Sequence, residues 1–595
     1  MAHLSENTHR LNSRHSENGC LALQVAEPNL EFIVLPYFND LNDVKDKQGL
    51  YAELNHFINK THKKSTIAIL TSPIIAADFC TEVTSEAHLK LWIAVKMTSE
   101  KDNSQALTQS HAALLIFTRY KESLNHTKTR IEYSYCPSCE KTTKDYGGKK
   151  HLYHEYGTLM SDIWRDIEAD FNELPDKIVD RLQDLFGLPE YKTVNIYDLR
   201  DRYSANSISK IYKQYENTPL NTLQKSLLLN GDCIEQLKKL PDNCIEFCFA
   251  DPPYNIKKKY ENWNDGIDIQ EYFDWCDQWL SEMVRVLKPG CTLAVLNIPQ
   301  WCIRHFKHLN TILDYQDWIV WEGLSLPVRM IMPAHYSILC FTKGEARPLP
   351  GLVRNKQSIS EKMAIETQKE GFCVRSGCVT KRHKQKINDK ETASNIWWDI
   401  HRLKHNSRRV DHPCQLPPMF MYRLISMFTH EGEFILDPFN GAGTTTLTAQ
   451  QLKRYYVGIE LSEYYHEMTQ NRHKELAEGI DPFRKNDATP NTKNSRVKRL
   501  KKQTYEVSKK QLQLEVRLIA QQIGRKPEKE DIMALSQYPM EYYESYFTSW
   551  GEVTAAARTT GMTEYKNGTY KIPEPQQLAL FEPKVKYGSK KVEID

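Results

Sequence analysis

Two stretches far apart in the chain constrain its fold most: Asp251-Pro252-Pro253-Tyr254 and Asp437-Pro438-Phe439-Asn440-Gly441-Ala442-Gly443-Thr444. Each follows a short apolar run of strand character, Phe247-Cys248-Phe249-Ala250 before the first and Phe434-Ile435-Leu436 before the second. In an open α/β sheet, ligands bind beyond the carboxyl ends of the strands. Two strand ends distant in sequence can therefore wall one pocket. The first offers a carboxylate, rigid prolines and an aromatic face. The second offers glycines that let backbone approach a ligand closely. The plainer alternative is two ordinary strand-end turns.

The pair, in this order, resembles the β group of the amino-methylating DNA methyltransferases. The resemblance implies a Rossmann-like, S-adenosylmethionine-dependent α/β fold. In that family D-P-P-Y holds the target base and F-x-G-x-G binds the methyl donor. Asp251, Pro252, Pro253 and Tyr254 are then the catalytic candidates. Asp251 and the Pro252 carbonyl can each accept one N–H of an exocyclic amine, which frees the nitrogen lone pair to attack. Tyr254 can stack on the base, which must leave the duplex to reach it. The methyl sulfonium carries its own activation, so this chemistry asks for no metal.

The same resemblance assigns donor-site candidates. Leu227–Asn230 reads as a strand ending at Gly231-Asp232, and Asp232 is placed at the adenine of the donor, with a helix cap as the alternative. His412-Pro413-Cys414-Gln415-Leu416-Pro417 is similar to the family's H-P-x-Q-x-P element, giving His412 and Gln415; Leu416 departs from the usual residue there. Asp437, Phe439, Gly441, Gly443 and Thr444 form the donor loop. Glu460 ends the next strand about 20 residues on, the spacing of a ribose-binding carboxylate. Trp275 and Trp279, on a helix reading from Ile269 to Leu287 that Lys288-Pro289-Gly290 ends, are core rather than base-stacking residues.

At 595 residues the chain has room for several domains. Its net charge is only +3, so nucleic-acid contact must come from local clusters. Fourteen cysteines without a signal peptide argue for a reducing compartment. No apolar run spans a membrane. The expected setting is cytoplasmic, in a prokaryote or encoded by a phage, and associated with the nucleoid. Residues 1–28 read as a polar flexible leader.

Residues 29–215 read as a degenerate copy of the catalytic half. His111–Arg119 matches His335–Lys343, Ser161–Ile167 matches Ser394–Ile400, and Leu174-Pro175 with Arg181-Leu182 matches Leu416-Pro417 with Arg423-Leu424. The offsets are 224, 233 and 242, as loop insertions produce. Ile67–Pro73 falls where the D-P-P-Y strand is expected, with Thr71-Ser72-Pro73-Ile74 in the motif's place, and no F-x-G-x-G follows the last block. Such a copy transfers no methyl group; it acts as the second member of an internal pseudo-dimer that clamps DNA.

Inside the copy lies Cys136-Pro137-Ser138-Cys139, followed by His151 and His154. C-x2-C is the usual half of a tetrahedral zinc site, so Cys136, Cys139, His151 and His154 are candidate ligands of a structural zinc. A free-thiol turn is the alternative. Lys141, Lys144, Lys149 and Lys150 around Tyr146 form a loop suited to phosphate. Cys373 and Cys378, with His383 beyond, form a weaker pair in the other half.

The catalytic domain reads as 216–480, with a basic target-recognition insert at about 345–411 containing Lys381–Lys386, His401-Arg402, Lys404-His405 and Arg408-Arg409. Lys257–Lys259 sit in a loop beyond the first motif. Residues 481–510 read as a basic linker. Residues 511–562 resemble the small helical repeat associated with homing endonucleases, through Ile523-Gly524-Arg525-Lys526-Pro527 and Tyr543-x3-Phe547-x-Ser549-Trp550; this implies an all-α, helix-turn-helix-like DNA-binding module. Residues 563–595 read as a tail.

The resemblance thus implies a site-specific methyltransferase acting on adenine N6 in double-stranded DNA, in a restriction–modification system with a cognate restriction endonuclease or as an orphan. Two alternatives stay open: an N4-cytosine enzyme, and a DNA-binding protein without methylation activity.

Overall fold

The computed structural model describes residues 12–15, 29–98, 106–121, 124, 129–142, 145, 157–186, 193–203, 210–215, 219–255, 266–323, 331, 334–352, 365–403, 410, 412, 414–484, 506–547, 550, 553–554, 563–564 and 570–571. The chain divides into two units, residues 1–494 and 495–595.

The first unit holds two sheets of matching design. The later sheet contains β8 (Leu227–Asn230), β9 (Ile245–Ala250), β10 (Leu287–Asn297), β11 (Asp314–Glu322), β12 (His335–Thr342), β13 (Ile396–Trp397), β14 (Phe434–Asp437) and β15 (Tyr455–Glu460). Their spatial order is β8-β15-β14-β9-β10-β12-β11-β13. The strands β9 and β14 are parallel neighbours, with Phe247 opposite Ile435 and Cys248 opposite Leu436. Residues 247–250 are fully buried, which is why this central strand reads as a continuous apolar run. The helix α5 (Ile269–Val286) starts at the Asp268 cap and buries Tyr272, Phe273, Cys276, Trp279, Leu280 and Met283. It ends one residue earlier than the Lys-Pro-Gly signal suggests. Lys288-Pro289-Gly290 lies inside β10, at a register shift against β9 with Gly290 at φ +74°.

The earlier sheet contains β1 (Asn12–His15), β2 (Leu30–Val34), β3 (Thr66–Thr71), β4 (His88–Met97), β5 (His111–Thr118), β6 (Ile163–Ala169) and β7 (Thr193–Asp198) in the order β1-β7-β2-β3-β5-β4-β6. Taken from β6 and β13 inward, the two sheets agree in neighbour and direction at every step. This corrects one placement. Ile67–Thr71 is the counterpart of β10, not of the D-P-P-Y strand: it pairs antiparallel with β5 as β10 does with β12. Pro73 then opens α2 (Pro73–Glu82) as Pro299 opens α6 (Pro299–Ile312). The counterpart of β9 is β2, and Leu35-Pro36-Tyr37 follows it where Asp251-Pro252-Pro253 follows β9. The copy therefore has an apolar side chain where the other half has its carboxylate.

The two halves pack by exchanging equivalent contacts. Trp92 and Trp318, both buried, stack at 4.4 Å between centroids and 8° between planes. The helices α2 and α6 pack together. Asp162 Oδ1 accepts from the backbone N–H groups of Ala334 and His335 at 2.7 and 3.0 Å. Its counterpart Asn395 accepts, through Oδ1, from the Ser110 N–H at 2.9 Å. Local geometry repeats too. Trp164 and Trp397 each donate to the carbonyl three residues back, from Ser161 and Ser394. Arg181 pairs with Asp166 and covers Trp164, as Arg423 pairs with Asp399 and covers Trp397. One hydrophobic core runs through both halves.

Among its described residues the second unit is mainly helical, with one short antiparallel strand pair, Thr563–Glu564 with Tyr570–Lys571. Helix α11 (Lys509–Ile523) opens on a Ser508–Gln511 capping box and stops at Gly524 in the left-handed region. Then come α12 (Lys529–Leu535) and α13 (Met540–Tyr546). Arg525 bonds both oxygens of Asp531 at 2.7 Å, tying the turn to α12. Leu512, Val516, Ile519, Ile532, Tyr543, Phe547 and Val553 form its core.

Candidate active site

Asp251 stands at the carboxyl end of β9, and its Oδ1 accepts the Tyr254 hydroxyl at 2.9 Å. Two aromatic donors fix the turn behind it. Tyr272 of α5 donates to the Pro253 carbonyl and Trp301 of α6 to the Tyr254 carbonyl, both at 2.7 Å. Asn255 follows at φ +52° and bonds the Ile267 carbonyl. Tyr254 is buried, and burial with the Asp251 charge pushes its hydroxyl well above the ordinary range, so it stays protonated as a donor. Sequence reading missed Tyr272 and Trp301 as parts of this site. Tyr272 falls on the apolar face of α5, and nothing in its spacing separates an anchoring hydroxyl from a core ring.

The glycine loop meets this turn from β14. Asp437 is buried and accepts from the Phe439 N–H at 2.9 Å; burial pushes its carboxyl up to about 7, helped by the charges of Asp251 and Glu460. Phe439 packs against Trp275 and Trp279, at 5.7 and 5.1 Å. Gly441 and Gly443 take φ +50° and +76°. A Cβ on Gly441 would stand 2.9 Å from His412 Nε2, and one on Gly443 would stand 2.6 Å from Thr469 Cγ2. Thr444 is the first residue of α9 (Thr444–Gln451).

The remaining donor-site candidates converge on the same loop. Glu460, at the end of β15, accepts from the Gly441 N–H and the Ser462 N–H, each at 2.8 Å. Burial raises its carboxyl pKa. His412 lies edge-on to Tyr465 at 4.7 Å. Gln415 Oε1 accepts the Val410 N–H at 2.8 Å, while its buried Nε2 has no partner among the described residues. Asp232 caps α4 (Cys233–Leu237), accepting from Ile234 and Glu235, and Gly231 N–H bonds the Glu460 carbonyl.

Two expectations change. The metal set expected from spacing was Cys136, Cys139, His151 and His154. The structure instead brings Cys136 and Cys139 to Cys373 and Cys378, four sulfurs within 4.8 Å of one another; His151 and His154 lie outside the described residues. Packing of the two halves brings the second cysteine pair to this point, which spacing along the chain does not show. Second, Arg382 is no exposed DNA grip: it is fully buried in α7 (Ser376–Lys384), bonded to Asp389, Gln368, Cys378 and Cys373. Lys384 and Lys386 are exposed. Lys144, Tyr146–Lys150, Lys257–Lys259, Lys404-His405, Arg408-Arg409 and most of 481–510 lie outside the described residues.

In the first half, the place of the glycine loop is differently filled. The strand β7 ends at Asp198, whose two oxygens accept from Arg200 at 2.9 and 2.7 Å.

Residues 245–471 match the N6/N4 methyltransferase family, described as DNA methylase. The Type II methyltransferase M.BamHI of Bacillus amyloliquefaciens is 35% identical over 276 residues, which are 45% of this chain and 62% of that protein. The chain therefore spans less than two thirds of that relative. M.HpaI of Haemophilus parainfluenzae is 29% identical over 43% of this chain and 76% of its own length. The DNA adenine methyltransferase YhdJ of Escherichia coli (strain K12) is 26% identical over 40% and 80%. The solved cytosine-N4-specific PvuII DNA methyltransferase is 19% identical, covers 42% of this chain and 86% of its own, and superposes with a TM-score of 0.30, too low to add to the assignment.

Proposed function

We propose, from the match of residues 245–471 to the N6/N4 family of DNA methyltransferases and the motif order of its β group, that the chain methylates the exocyclic N6 of adenine in double-stranded DNA. One observation carries the reading: a carboxylate at the end of β9 and a glycine cradle at the end of β14 adjoin on parallel neighbouring strands.

S-adenosylmethionine, bound there, supplies an electrophilic sulfonium methyl group. The residues fit such a molecule: Gly441 and Gly443 leave no room for side chains, Glu460 sits at the cradle's rim, and Gln415 Nε2 is buried and has no partner among the described residues. Glu460 takes a ribose diol, while His412, Gln415, Asp437, Phe439, Thr444 and Asp232 shape the rest. On the acceptor side, Asp251 takes one N–H of the amine and the Pro252 carbonyl the other, so the nitrogen lone pair turns toward the methyl carbon. Tyr254 orients Asp251 and offers its ring to the extruded base. As the N–C bond forms the methyl–sulfur bond breaks, its electron pair staying on a neutral thioether, and the amine loses a proton, to Asp251 or to water.

The first half, the exposed lysines of the insert and residues 511–562 serve to hold DNA. The relatives' Type II naming favours a place in a restriction–modification system with a cognate endonuclease in a bacterial cytoplasm. No described helix is long and apolar enough to cross a membrane. Methylome sequencing of a host expressing the wild type and Asp251→Ala tests the central claim. New N6-methyladenine at one sequence, lost in the variant, is expected. N4-methylcytosine instead would select the cytosine reading. No new mark beside retained DNA binding would leave a binding protein.

A further inference from the structure

Cys136 and Cys139 come from the first half, Cys373 and Cys378 from the insert of the second, and their four sulfurs meet at one point. We propose that these thiolates hold one structural zinc ion that staples the degenerate half to the target-recognition insert.

Distances point to an ion. Four sulfurs at about 2.3 Å around a tetrahedral zinc lie about 3.8 Å from each other. Here Cys136 Sγ is 3.8 Å from Cys378 Sγ and Cys139 Sγ is 3.9 Å from Cys373 Sγ. A disulfide needs about 2.05 Å, so neither pair is bonded. The spacing also suits one ion rather than a cluster of several.

The backbone is arranged as a chelate. Cys136 ends a short strand, Tyr135–Cys136, paired antiparallel with Lys141–Thr142. Pro137-Ser138-Cys139 turns between them, and Glu140 takes φ +54° to close the turn. The N–H groups of Cys373, Cys139 and Ser138 are directed at the Cys136 sulfur. Cys378 lies in the first turn of α7, five residues after Cys373.

A cationic side chain stands against the sulfurs. Arg382 is wholly buried and donates Nη1 to Cys378 Sγ at 2.9 Å and Nη2 to the Cys373 carbonyl at 2.9 Å. A buried guanidinium beside sulfur offsets the net negative charge of four thiolates around a divalent ion, and Asp389 and Gln368 hold it in place. Lys381 crosses between the halves to the Ser138 carbonyl at 3.0 Å. The apolar content here is slight: three of the cysteines, with Cys139 and Phe372 beside them. A cluster that small does not hold two segments together without a staple. All-sulfur tetrahedral sites favour zinc over hard cations.

Metal analysis of the full chain, purified under reducing conditions without added metal, is expected to find about one zinc per chain. Cys373→Ser and Cys378→Ser should each lower it to background, while a His151→Ala/His154→Ala double variant keeps it. Should the serine variants misfold, cobalt(II) reconstitution of the wild type decides: intense tetrahedral thiolate bands support the site, and weak octahedral bands overturn it. A metal-free protein, iron in place of zinc, disulfides between these cysteines, or zinc lost with the histidines but kept without Cys378 would each overturn the proposal.

Discussion

Asn395 and Asp162 occupy equivalent places in the two halves and make equivalent bonds across the boundary, while Arg423 and Arg181, and Trp397 and Trp164, make equivalent bonds each within its own half. At the strand ends the likeness stops. Where one half presents Asp251 and a two-glycine cradle, the other presents Leu35 and an Arg200–Asp198 ion pair. The contacts that hold the halves together persist on both sides, and the groups proposed to do chemistry stand on one. Packing and catalysis are thus separable demands on this scaffold, and relaxing the second leaves the first intact.

The sharpest test of that contrast is at the two strand ends. Asp251→Ala is expected to cut methylation by about 10³-fold or more, since it removes the acceptor that frees the amine; a filter assay of methyl transfer measures this. The mirror change, Leu35→Asp, should create no second activity. Next come the buried tryptophans. Trp92→Ala and Trp318→Ala should each cost about 3–5 kcal/mol in denaturant unfolding, because each opens the same stacked contact. A cost below about 1 kcal/mol in either would break the idea of one shared core.

Gly443→Ala puts a methyl group 2.6 Å from Thr469 and forces φ +76° on an L residue. Calorimetry should show donor binding weakened about tenfold, the equivalent of about 1–2 kcal/mol. Arg200→Gly should confer no donor binding on the first half. The smallest effect concerns Asp162, whose carboxyl burial pushes up from 3.8 to about 7. A raised carboxyl pKa means the folded state grips the proton more tightly, so its contribution to stability is present at low pH and lost as pH rises toward 7. Asp162→Asn keeps the acceptor oxygen, as Asn395 already does, and removes the charge. Thermal melts should show a gain on the order of 1 kcal/mol at pH 8 that fades toward pH 4.

Much of this was legible in the chain before the fold. D-P-P-Y and the glycine loop mark themselves because few residue types do those tasks, and Gly441 and Gly443 stand where a Cβ has no room. The duplication was legible from blocks whose residues still make contacts, Asp399–Arg423 and Asp166–Arg181 among them. Illegible was whatever depends on which strands become neighbours. Ile67–Thr71 and Leu30–Val34 are equally apolar, and with the carboxylate gone nothing in Leu35-Pro36 advertises a former site. The sulfur cluster hid for the same reason, since its pairs lie 234 and 242 residues apart. Arg382 looked like one cation in a basic run because composition does not say which side chain turns inward.

Placing both partners in one polypeptide also changes the arithmetic of their association. Two separate subunits obey mass action, so dilution would pull them apart. Tethered halves meet at an effective concentration set by the linker, of millimolar order, whatever the number of molecules present. The stacked tryptophans need only outweigh local opening, not dilution, and one transcript delivers the halves in fixed proportion.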